Sequence, residues 1–132
     1  MSFKWFGDQI EAALTQSVQA GVETAVKETL YKQVLDDIFS DKHGRWYLKE
    51  DGRWHHASAP GEPFANDTGA SVEGIDFRKD NLTAELVSTD KKNMELEFGG
   101  QNEARPVYRP AMVKAHDAMV KDVADSIRRV IK

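Results

Sequence analysis

The stretch "IEAALTQSVQAGVETAVKETLYKQVLDDI" (residues 10–38) decides the fold, because it carries an apolar residue at every fourth position and contains no proline. The repeated positions are Ile10, Leu14, Val18, Val22, Val26, Leu30, Val34 and Ile38. This spacing predicts one long helix over residues 8–39, with Asp8 near its positive end. Four residues of an α-helix turn through about 400°, so the apolar row drifts by about 40° at each step. One straight neighbouring surface therefore cannot cover the whole row.

Two explanations of the drifting row are open. In the first, the helix bends around a single core, and Gly21 near its midpoint is a natural place for a bend. In the second, one half of the helix packs on its own domain and the other half packs on a neighbouring subunit. We favour the second explanation, and Val26 and Val34 are the candidate residues of the helix for contact with a partner.

A first hairpin is predicted directly after the long helix. The run "RWYLKEDGRWHHAS" (45–58) places two short aromatic-rich segments on either side of Asp51-Gly52, which is a strong signal for a tight turn. Trp46, Leu48 and Trp54 can then share one apolar face of the hairpin. A loop rich in proline and glycine follows and extends to residue 69.

Further strands are predicted between residues 71 and 98. Two runs that alternate apolar and polar residues flank "KDN" (79–81), which predicts a second hairpin beginning at Ser71. The run "NMELEFGG" (93–100) alternates in the same way and predicts a third strand. The resulting sheet is expected to contain three to five short antiparallel strands.

The last predicted element is a helix over residues 110–131, because Pro110 suits the first turn of a helix. Its predicted apolar face comprises Met112, His116, Met119, Val120, Val123, Ile127 and Val130. The whole chain, 1–132, is thus predicted as a single α+β domain. Its segments are the long helix (8–39), a hairpin and loop (45–69), antiparallel strands (71–98), an extended loop (99–109) and the C-terminal helix (110–131).

Composition excludes several classes of protein. The 132 residues include no cysteine, so disulfides and thiolate metal sites are excluded. The net charge of −4 gives no overall reason to bind nucleic acid or an anionic membrane. No apolar run approaches the ~20 residues that a membrane-spanning helix needs, so no membrane association is expected.

The triplet Asp67-Thr68-Gly69 is also found at the active site of retroviral-type aspartic proteases. Those enzymes pair two aspartates that share a proton in a rigid, buried setting. Here a loop rich in proline and glycine precedes Asp67, and much of the chain is predicted to be helical. We therefore interpret the triplet as a turn, in which Gly69 allows a positive φ. The predicted structural turn comprises Pro60, Gly61, Asp67, Thr68 and Gly69.

No enzyme activity, metal or cofactor is predicted. Adjacent His55 and His56 point to opposite faces if they lie on a strand, so they do not chelate one ion together. The chain has no nucleophile elbow, no phosphate-binding loop of the Walker type and no dinucleotide-binding glycine motif.

Two segments together resemble a known family. They are "ASAPGEPFANDTGASVEGI" (57–75) and "LEFGGQNEARPVYRPAM" (96–112), the second followed by a helix. The pair is similar to the tailed-phage minor tail or neck protein family typified by gene product ten of phage HK-ninety-seven. The likeness covers about the last three-fifths of the chain. It departs from the family pattern at Ala70 and Ser71, where a basic residue and a leucine are usual.

The resemblance implies a structural virion protein of the head–tail junction, often called a neck or tail-completion protein. Such a protein assembles as a sixfold or twelvefold ring and joins the connector or stopper to the tail-terminator or tail-tube proteins. It is expected in the virion neck, and in the host cytoplasm during assembly. The candidate partner interface comprises Phe98, Arg105, Tyr108 and Arg109, together with Val26 and Val34.

Two questions are left open by the residues alone. Weak contact with DNA is one, because Lys91 with Lys92, and Arg105 with Arg109, make small basic spots in an acidic chain. The alternative function is a non-viral binding module or a small metal-dependent enzyme that uses His55, His56 and Asp67.

Overall fold

A computed structural model of the protein describes residues 7–65, 69–100 and 103–131. The helices are α1 (Gly7–Thr24), α2 (Tyr31–Ile38), α3 (Ala70–Glu73), α4 (Lys91–Phe98) and α5 (Tyr108–Ile131), with a π-helical segment (Ala25–Leu30) between α1 and α2. The strands are β1 (Trp46–Leu48), β2 (Trp54–His56), β3 (Ile75–Asp80) and β4 (Thr83–Ser88). The predicted α+β class and both long helices are therefore confirmed.

The first helix is continuous from Gly7 to Ile38, because the backbone stays helical where α1 meets the π-helical segment and where that segment meets α2. The second half of its apolar row is buried in the core, and Val34 there is 0% exposed. A π turn closes i→i+5 hydrogen bonds, so each residue advances through a smaller angle than in an α turn. The π-helical segment therefore counteracts the drift of the row and keeps Val26, Leu30 and Val34 towards one core.

At Gly21 the long helix packs closely against another helix. The change from α-helical to π-helical geometry comes four residues later, at Ala25. A Cβ atom on Gly21 would lie 2.7 Å from the Cα atom of Val123, so α1 and α5 approach closely here. Next to this contact, the Ser126 hydroxyl donates to the Ser17 carbonyl at 2.7 Å, and the Ser17 hydroxyl donates to the Ser126 carbonyl at 3.3 Å. At Gly21 the structure therefore shows a close helix–helix contact.

The core lies where the long helix, the loop before α3 and the start of α5 meet. Its buried members are Val26, Leu30, Val34, Ile38, Phe64, Val107, Ala111 and Ala115. The second hairpin covers one side of this core through Phe77 and Leu86, which are partly buried against it. The core therefore depends on residues from both halves of the chain.

The strands of the described residues form two separate antiparallel pairs, β1 with β2 and β3 with β4. Both predicted hairpins are present, and the register of the second runs from Ile75 opposite Ser88 to Asp80 opposite Thr83. The predicted sheet of three to five strands is not confirmed. The second hairpin also begins later than expected, since the short helix α3 occupies the place predicted for a strand from Ser71.

The prediction of a third strand over residues 93–100 is wrong, because Lys91–Phe98 forms helix α4. The side chain of Asp90 caps this helix by accepting a hydrogen bond from the Lys92 backbone N–H at 3.0 Å. Alternation of Met94, Leu96 and Phe98 suggested a strand. The buried residues are instead Asn93 and Glu97, four positions apart as on one face of a helix.

The predicted apolar face of the C-terminal helix is buried only in part, since Met119, Val123 and Ile127 are partly buried. Met112, His116 and Val120 are exposed, whereas Ala111 and Ala115 are buried. Gly21 meets α5 at Asp122, Val123 and Ser126, so the close approach of the two backbones is local to that part of α5. No helix among the residues that the structure describes is long and apolar enough to cross a membrane.

Candidate functional site

The start of α5 is held by a side chain from another helix. The first backbone N–H groups of a helix have no partner within it, and they form its positive end. The carboxylate of Glu97 accepts hydrogen bonds from the N–H groups of Val107 (2.6 Å), Tyr108 (3.0 Å) and Arg109 (2.8 Å). Glu97 is buried, so this cap is shielded from solvent. It fixes the position of α4 relative to α5.

Arg109 binds both the carboxylate and the backbone of Glu97. Its Nε donates to the Glu97 carboxylate at 3.3 Å and its Nη2 donates to the Glu97 carbonyl at 3.1 Å. Its guanidinium carbon lies 4.5 Å from the centre of the Phe98 ring, which is within the range of a cation–π contact. The structure therefore places two predicted interface residues, Phe98 and Arg109, side by side on the surface.

A cleft of about 340 Å³ opens between the end of β4, helix α4 and the start of α5. Its rim carries Met94 and Phe98, whose exposed fractions are 68% and 65%. Below them, the side-chain amide of Asn93 donates to the Ser88 hydroxyl (2.6 Å) and to the Tyr108 hydroxyl (3.2 Å). Apolar side chains thus surround a polar network in the cleft.

Tyr108 contributes its hydroxyl to this network. Burial raises the pKa of Tyr108, while hydrogen bonds to Ser88 and Asn93 act in the opposite direction. The hydroxyl therefore stays protonated in neutral solution and can both donate and accept hydrogen bonds. The third predicted interface residue accordingly lies in the same cleft as Phe98 and Arg109.

Arg105, the fourth predicted interface residue on this segment, ties two loops together. Its Nε donates to the Ser58 carbonyl at 3.2 Å, and the Gly61 N–H donates to the Ala104 carbonyl at 3.1 Å. These bonds join the loop over 57–65 to the segment that leads into α5. Arg105 is half-buried, and its hydrogen bond to Ser58 stabilises the fold.

The predicted turn at Pro60 and Gly61 is confirmed. The Glu62 N–H donates to the Ala59 carbonyl at 3.1 Å, and Gly61 has a φ of 83°, as the third position of a type II turn requires. Backbone hydrogen bonds from Ala59 and from His43 hold the pKa of the Glu62 carboxyl at about 2.

Of the rest of the predicted turn, only Gly69 lies among the residues that the structure describes. Its φ of 89° is positive, as expected, and its carbonyl accepts hydrogen bonds from the N–H groups of Val72 and Glu73 at the start of α3. Asp67 and Thr68 lie outside the described residues. Gly69 therefore introduces a short helix before the strand.

Val26 and Val34 do not form a partner surface. Both lie in the hydrophobic core, because the π-helical segment directs the second half of the long helix inward. The prediction that they contact a partner is wrong. Ile10 at the beginning of the row is 51% exposed, whereas Leu14, Val18 and Val22 are half-buried.

The histidines of β2 lie as predicted on opposite faces of the hairpin. His56 stacks on Trp46 with ring centres 4.2 Å apart, whereas His55 contacts the edge of Tyr47 on the other side. Among the described residues, no three histidine, aspartate or glutamate side chains are grouped closely enough to hold a metal ion. Asp67, the third residue of the alternative site, is not among them.

Sequence reasoning missed Glu97, Asn93 and Met94 as parts of this site. A signal for Glu97 was present, since Pro106 and Val107 precede α5 and neither side chain can accept a hydrogen bond. An acceptor for the first N–H groups had to come from elsewhere in the chain.

Comparison of the chain with models of protein families, with curated proteins and with solved structures found no match.

Proposed function

We propose that this chain is a structural virion protein of the phage head–tail junction. In this role it assembles as a ring of identical subunits and joins the connector to the tail. Sixfold and twelvefold rings both fit the proposal. The neighbours in the stack are connector or stopper proteins on one side and tail-terminator or tail-tube proteins on the other.

The observation that carries the proposal is the contact between the two segments on which the resemblance rests. Residues 76–95 separate them in the chain, yet Arg105 binds the Ser58 carbonyl and Gly61 binds the Ala104 carbonyl. The second segment also supplies Glu97, which caps the helix that follows it. Two motifs that build one structural unit support a shared fold better than two isolated matches of letters.

The surface of the molecule supports a role in assembly. Large apolar side chains are exposed at the cleft, on α5 and on the first hairpin, among them Met94, Val113 and Trp54. Exposed apolar patches in several places are typical of proteins that bind several partners. A ring subunit in a stack requires such surfaces for its lateral neighbours and for the layers above and below.

Deletion of the coding sequence from the phage genome that carries it tests the proposed function. We expect DNA-filled heads and separate tails in electron micrographs, and restored particles when the protein is supplied from a plasmid. Infectious, fully joined particles without the protein would overturn the proposal. A location of the gene outside any phage or prophage, away from head and tail genes, would also overturn it.

The contribution of the cleft is tested in the same complementation assay. The double substitution Met94→Ser/Phe98→Ser removes two exposed apolar side chains from its rim, so we expect the folded variant to restore few or no particles. Val113→Ser is the matched control, because Val113 is 79% exposed and lies outside the cleft. Equal complementation by both variants would show that the cleft is not a binding site.

A further inference from the structure

We infer that the Asp51-Gly52 pair is a site of isoaspartate formation, and that the turn of the first hairpin together with Arg53 slows this reaction in the folded protein. The modification is a reaction of the chain with itself. The inference is independent of the proposed role at the head–tail junction, so each is tested without the other.

The pair occurs once in this chain. Asp51 is the only aspartate that precedes a glycine in the sequence, and no asparagine precedes one. Glycine has no Cβ, so no side chain hinders its backbone nitrogen when it attacks the preceding side chain. Asp51 and Gly52 are exposed, and a Cβ atom on Gly52 would meet no atom of the described residues within 4 Å. The turn is therefore open to the water that the reaction needs.

Water alone balances the reaction. The Gly52 nitrogen attacks the side-chain carboxyl carbon of Asp51 and forms a C–N bond, while the C–OH bond of the carboxyl group breaks. The hydroxyl group leaves as water with the proton of the nitrogen, and the product is a cyclic succinimide. Water then adds to either ring carbonyl and opens the ring. One opening restores aspartate, and the other gives isoaspartate, in which the main chain runs through the side chain of residue 51.

The turn holds the attacking nitrogen in place. The Gly52 N–H donates to the Lys49 carbonyl at 3.0 Å, and the Lys49 N–H donates to the Arg53 carbonyl at 2.8 Å. Gly52 has a φ of 86°, as in hairpin loops that end on a left-handed glycine. The nitrogen has to lose its proton and turn towards the Asp51 side chain before it can attack, so the hydrogen bond to Lys49 has to break first.

Arg53 holds the carboxyl group that would be attacked. Its backbone N–H donates to Asp51 Oδ1 at 3.0 Å, and its Nε donates to Asp51 Oδ2 at 2.8 Å. Nη2 of the same guanidinium lies 2.7 Å from Oδ2. Both carboxylate oxygens are thus directed towards Arg53, as in an Asx turn. These contacts have to break before the carboxyl carbon can meet the Gly52 nitrogen.

Arg53 also controls the protonation of Asp51. An ionised carboxylate is a poor target for a nucleophile, so the reaction proceeds through the protonated carboxyl group. The side-chain hydrogen bond from Arg53, followed by its backbone hydrogen bond, lowers the pKa of Asp51 because both stabilise the charged form. At neutral pH the protonated, reactive form is therefore rarer than in an aspartate without this partner.

Opening of the hairpin removes both restraints. The hairpin consists of two short strands, Trp46–Leu48 and Trp54–His56, which contact chiefly each other. A hairpin of two strands has little stability of its own in water, so it opens more readily than packed helices do. Isoaspartate then forms in the folded protein at the rate of the unfolded chain multiplied by the fraction of molecules in which the turn is open.

Isoaspartate changes the hairpin once it has formed. The main chain becomes longer at residue 51, and the length of a loop fixes the register of the two strands that it joins. The present register places Trp46 opposite His56, and their rings stack with centres 4.2 Å apart. We expect the modified protein to lose this stack, which near-ultraviolet circular dichroism of the tryptophans measures.

The experiment incubates the full chain and three variants at neutral pH, both folded and unfolded in guanidinium chloride. Arg53→Ala removes the guanidinium, and Arg45→Ala is the matched control, because Arg45 is an exposed arginine just before the same hairpin. Asp51→Glu is the negative control, since its longer side chain forms a larger ring and reacts far more slowly. Cleavage after lysine releases the same peptide, residues 50–79, from every protein, and mass-spectrometric fragmentation locates isoaspartate within it.

In the denaturant, we expect the original chain and both arginine variants to form isoaspartate at residue 51 at equal rates. Folding should slow the reaction of the original chain and of Arg45→Ala by about tenfold or more. Folded Arg53→Ala should react severalfold faster than folded Arg45→Ala. The midpoint of the fall in rate with rising pH should also move upward in Arg53→Ala, because the pKa of Asp51 rises when Arg53 is absent. Simple loosening of the hairpin would raise the rate without moving this midpoint.

Several results would overturn the inference. They are the absence of isoaspartate at residue 51 in the unfolded original chain, equal rates in its folded and unfolded states, and equal rates for folded Arg53→Ala and Arg45→Ala. Isoaspartate that forms in the same peptide of Asp51→Glu at the original rate would overturn the assignment to this pair. None of these results depends on virion assembly, so they leave the proposed function unaffected.

Discussion

The buried carboxylate of Glu97 accepts hydrogen bonds from three consecutive backbone N–H groups at the start of α5, and it also binds Arg109. The position of α4 and the first turn of α5 therefore depend on one side chain. Since the cleft lies between these two helices, Glu97 also determines the shape of the candidate site.

Substitution of Glu97 by glutamine is expected to lower the free energy of unfolding by about 2–3 kcal/mol, because an amide has one acceptor oxygen and no charge, and the buried N–H groups lose partners. Urea denaturation followed by circular dichroism measures this change. Glu95→Gln on the exposed face of the same helix is the control, with an expected change of less than about 0.5 kcal/mol. Equal effects of the two substitutions would contradict the capping role.

Glu62 gives the fold a dependence on pH. Its pKa in the folded protein is about 2, below the ordinary value of 4.5, because the N–H groups of Ala59 and His43 stabilise the charged form. The folded state therefore binds the proton less tightly than the unfolded chain does. The stabilisation is present above pH 4.5 and is lost as the pH falls towards 2.

The variant Glu62→Gln is expected to melt at a lower temperature than the original chain at pH 7. The difference should shrink as the pH falls from 4.5 towards 2, because a protonated Glu62 loses the same charge. Melting temperatures of both proteins between pH 7 and pH 3 test this, and the comparison cancels the effects of other titrating groups. A difference that stays constant over this range would refute the assignment.

At the scale of elements, α1 and α5 lie in close contact at Gly21. The absence of a side chain at Gly21 lets the helix backbones approach beside Val123 and the buried Ser126. Farther along α5, Ala111 and Ala115 are buried in the core, and Met119 is partly buried against it. The pattern of Met112, Val120 and Val130 is amphipathic, but amphipathicity does not say which neighbour is close enough to be covered.

Gly21→Ala is expected to destabilise the protein by about 1–3 kcal/mol, because the new methyl group would overlap the Val123 backbone. The better helix propensity of alanine offsets only part of this, about 1 kcal/mol. Ala20→Ser adds an atom at the exposed neighbouring position and should change the stability by less than about 0.5 kcal/mol. Chemical denaturation of both variants provides the measurement, and a stabilised Gly21→Ala protein would disprove the close packing.

Helix α4 shows why short apolar patterns mislead. The alternation of Met94, Leu96 and Phe98 fits a strand, whereas Asn93 and Glu97 at a spacing of four fit a helix whose buried face is polar. Local pattern alone favours the apolar explanation. Burial of the Glu97 carboxylate is favourable only because the N–H groups at the start of α5 donate hydrogen bonds to it. These groups come from a later part of the chain.

The whole molecule combines a helical frame with an attached hairpin. The long helix and α5 pack along each other, while β1 and β2 contact chiefly each other. Stability of local regions follows the number of packed contacts, so the two parts should open with different free energies.

Hydrogen exchange measured by mass spectrometry tests this division. In dilute protein, backbone amides of Trp46–Leu48 and Trp54–His56 are expected to exchange faster than those of the π-helical segment and α2. Slow exchange in the hairpin of the isolated chain would contradict the proposed division.

The sequence by itself determined the elements whose signals are local. The four-residue spacing predicts the long helix, Asp51-Gly52 predicts the first hairpin, and Pro110 marks the first turn of α5. Each of these rules acts through backbone geometry and neighbours within a few residues, so no knowledge of the rest of the chain is needed. The type II turn at Pro60-Gly61 belongs to the same group.

Only the tertiary structure decided which faces are buried and which residues form the site. Val26 and Val34 are in the core because a π-helical segment changes the turn angle, and Glu97 is a cap because α5 begins beside it. The physical reason is that burial depends on the distance and the polar groups of a neighbour that is far away in sequence. Hydrophobic periodicity indicates that a residue can be buried, whereas packing against distant parts of the chain determines whether it is buried.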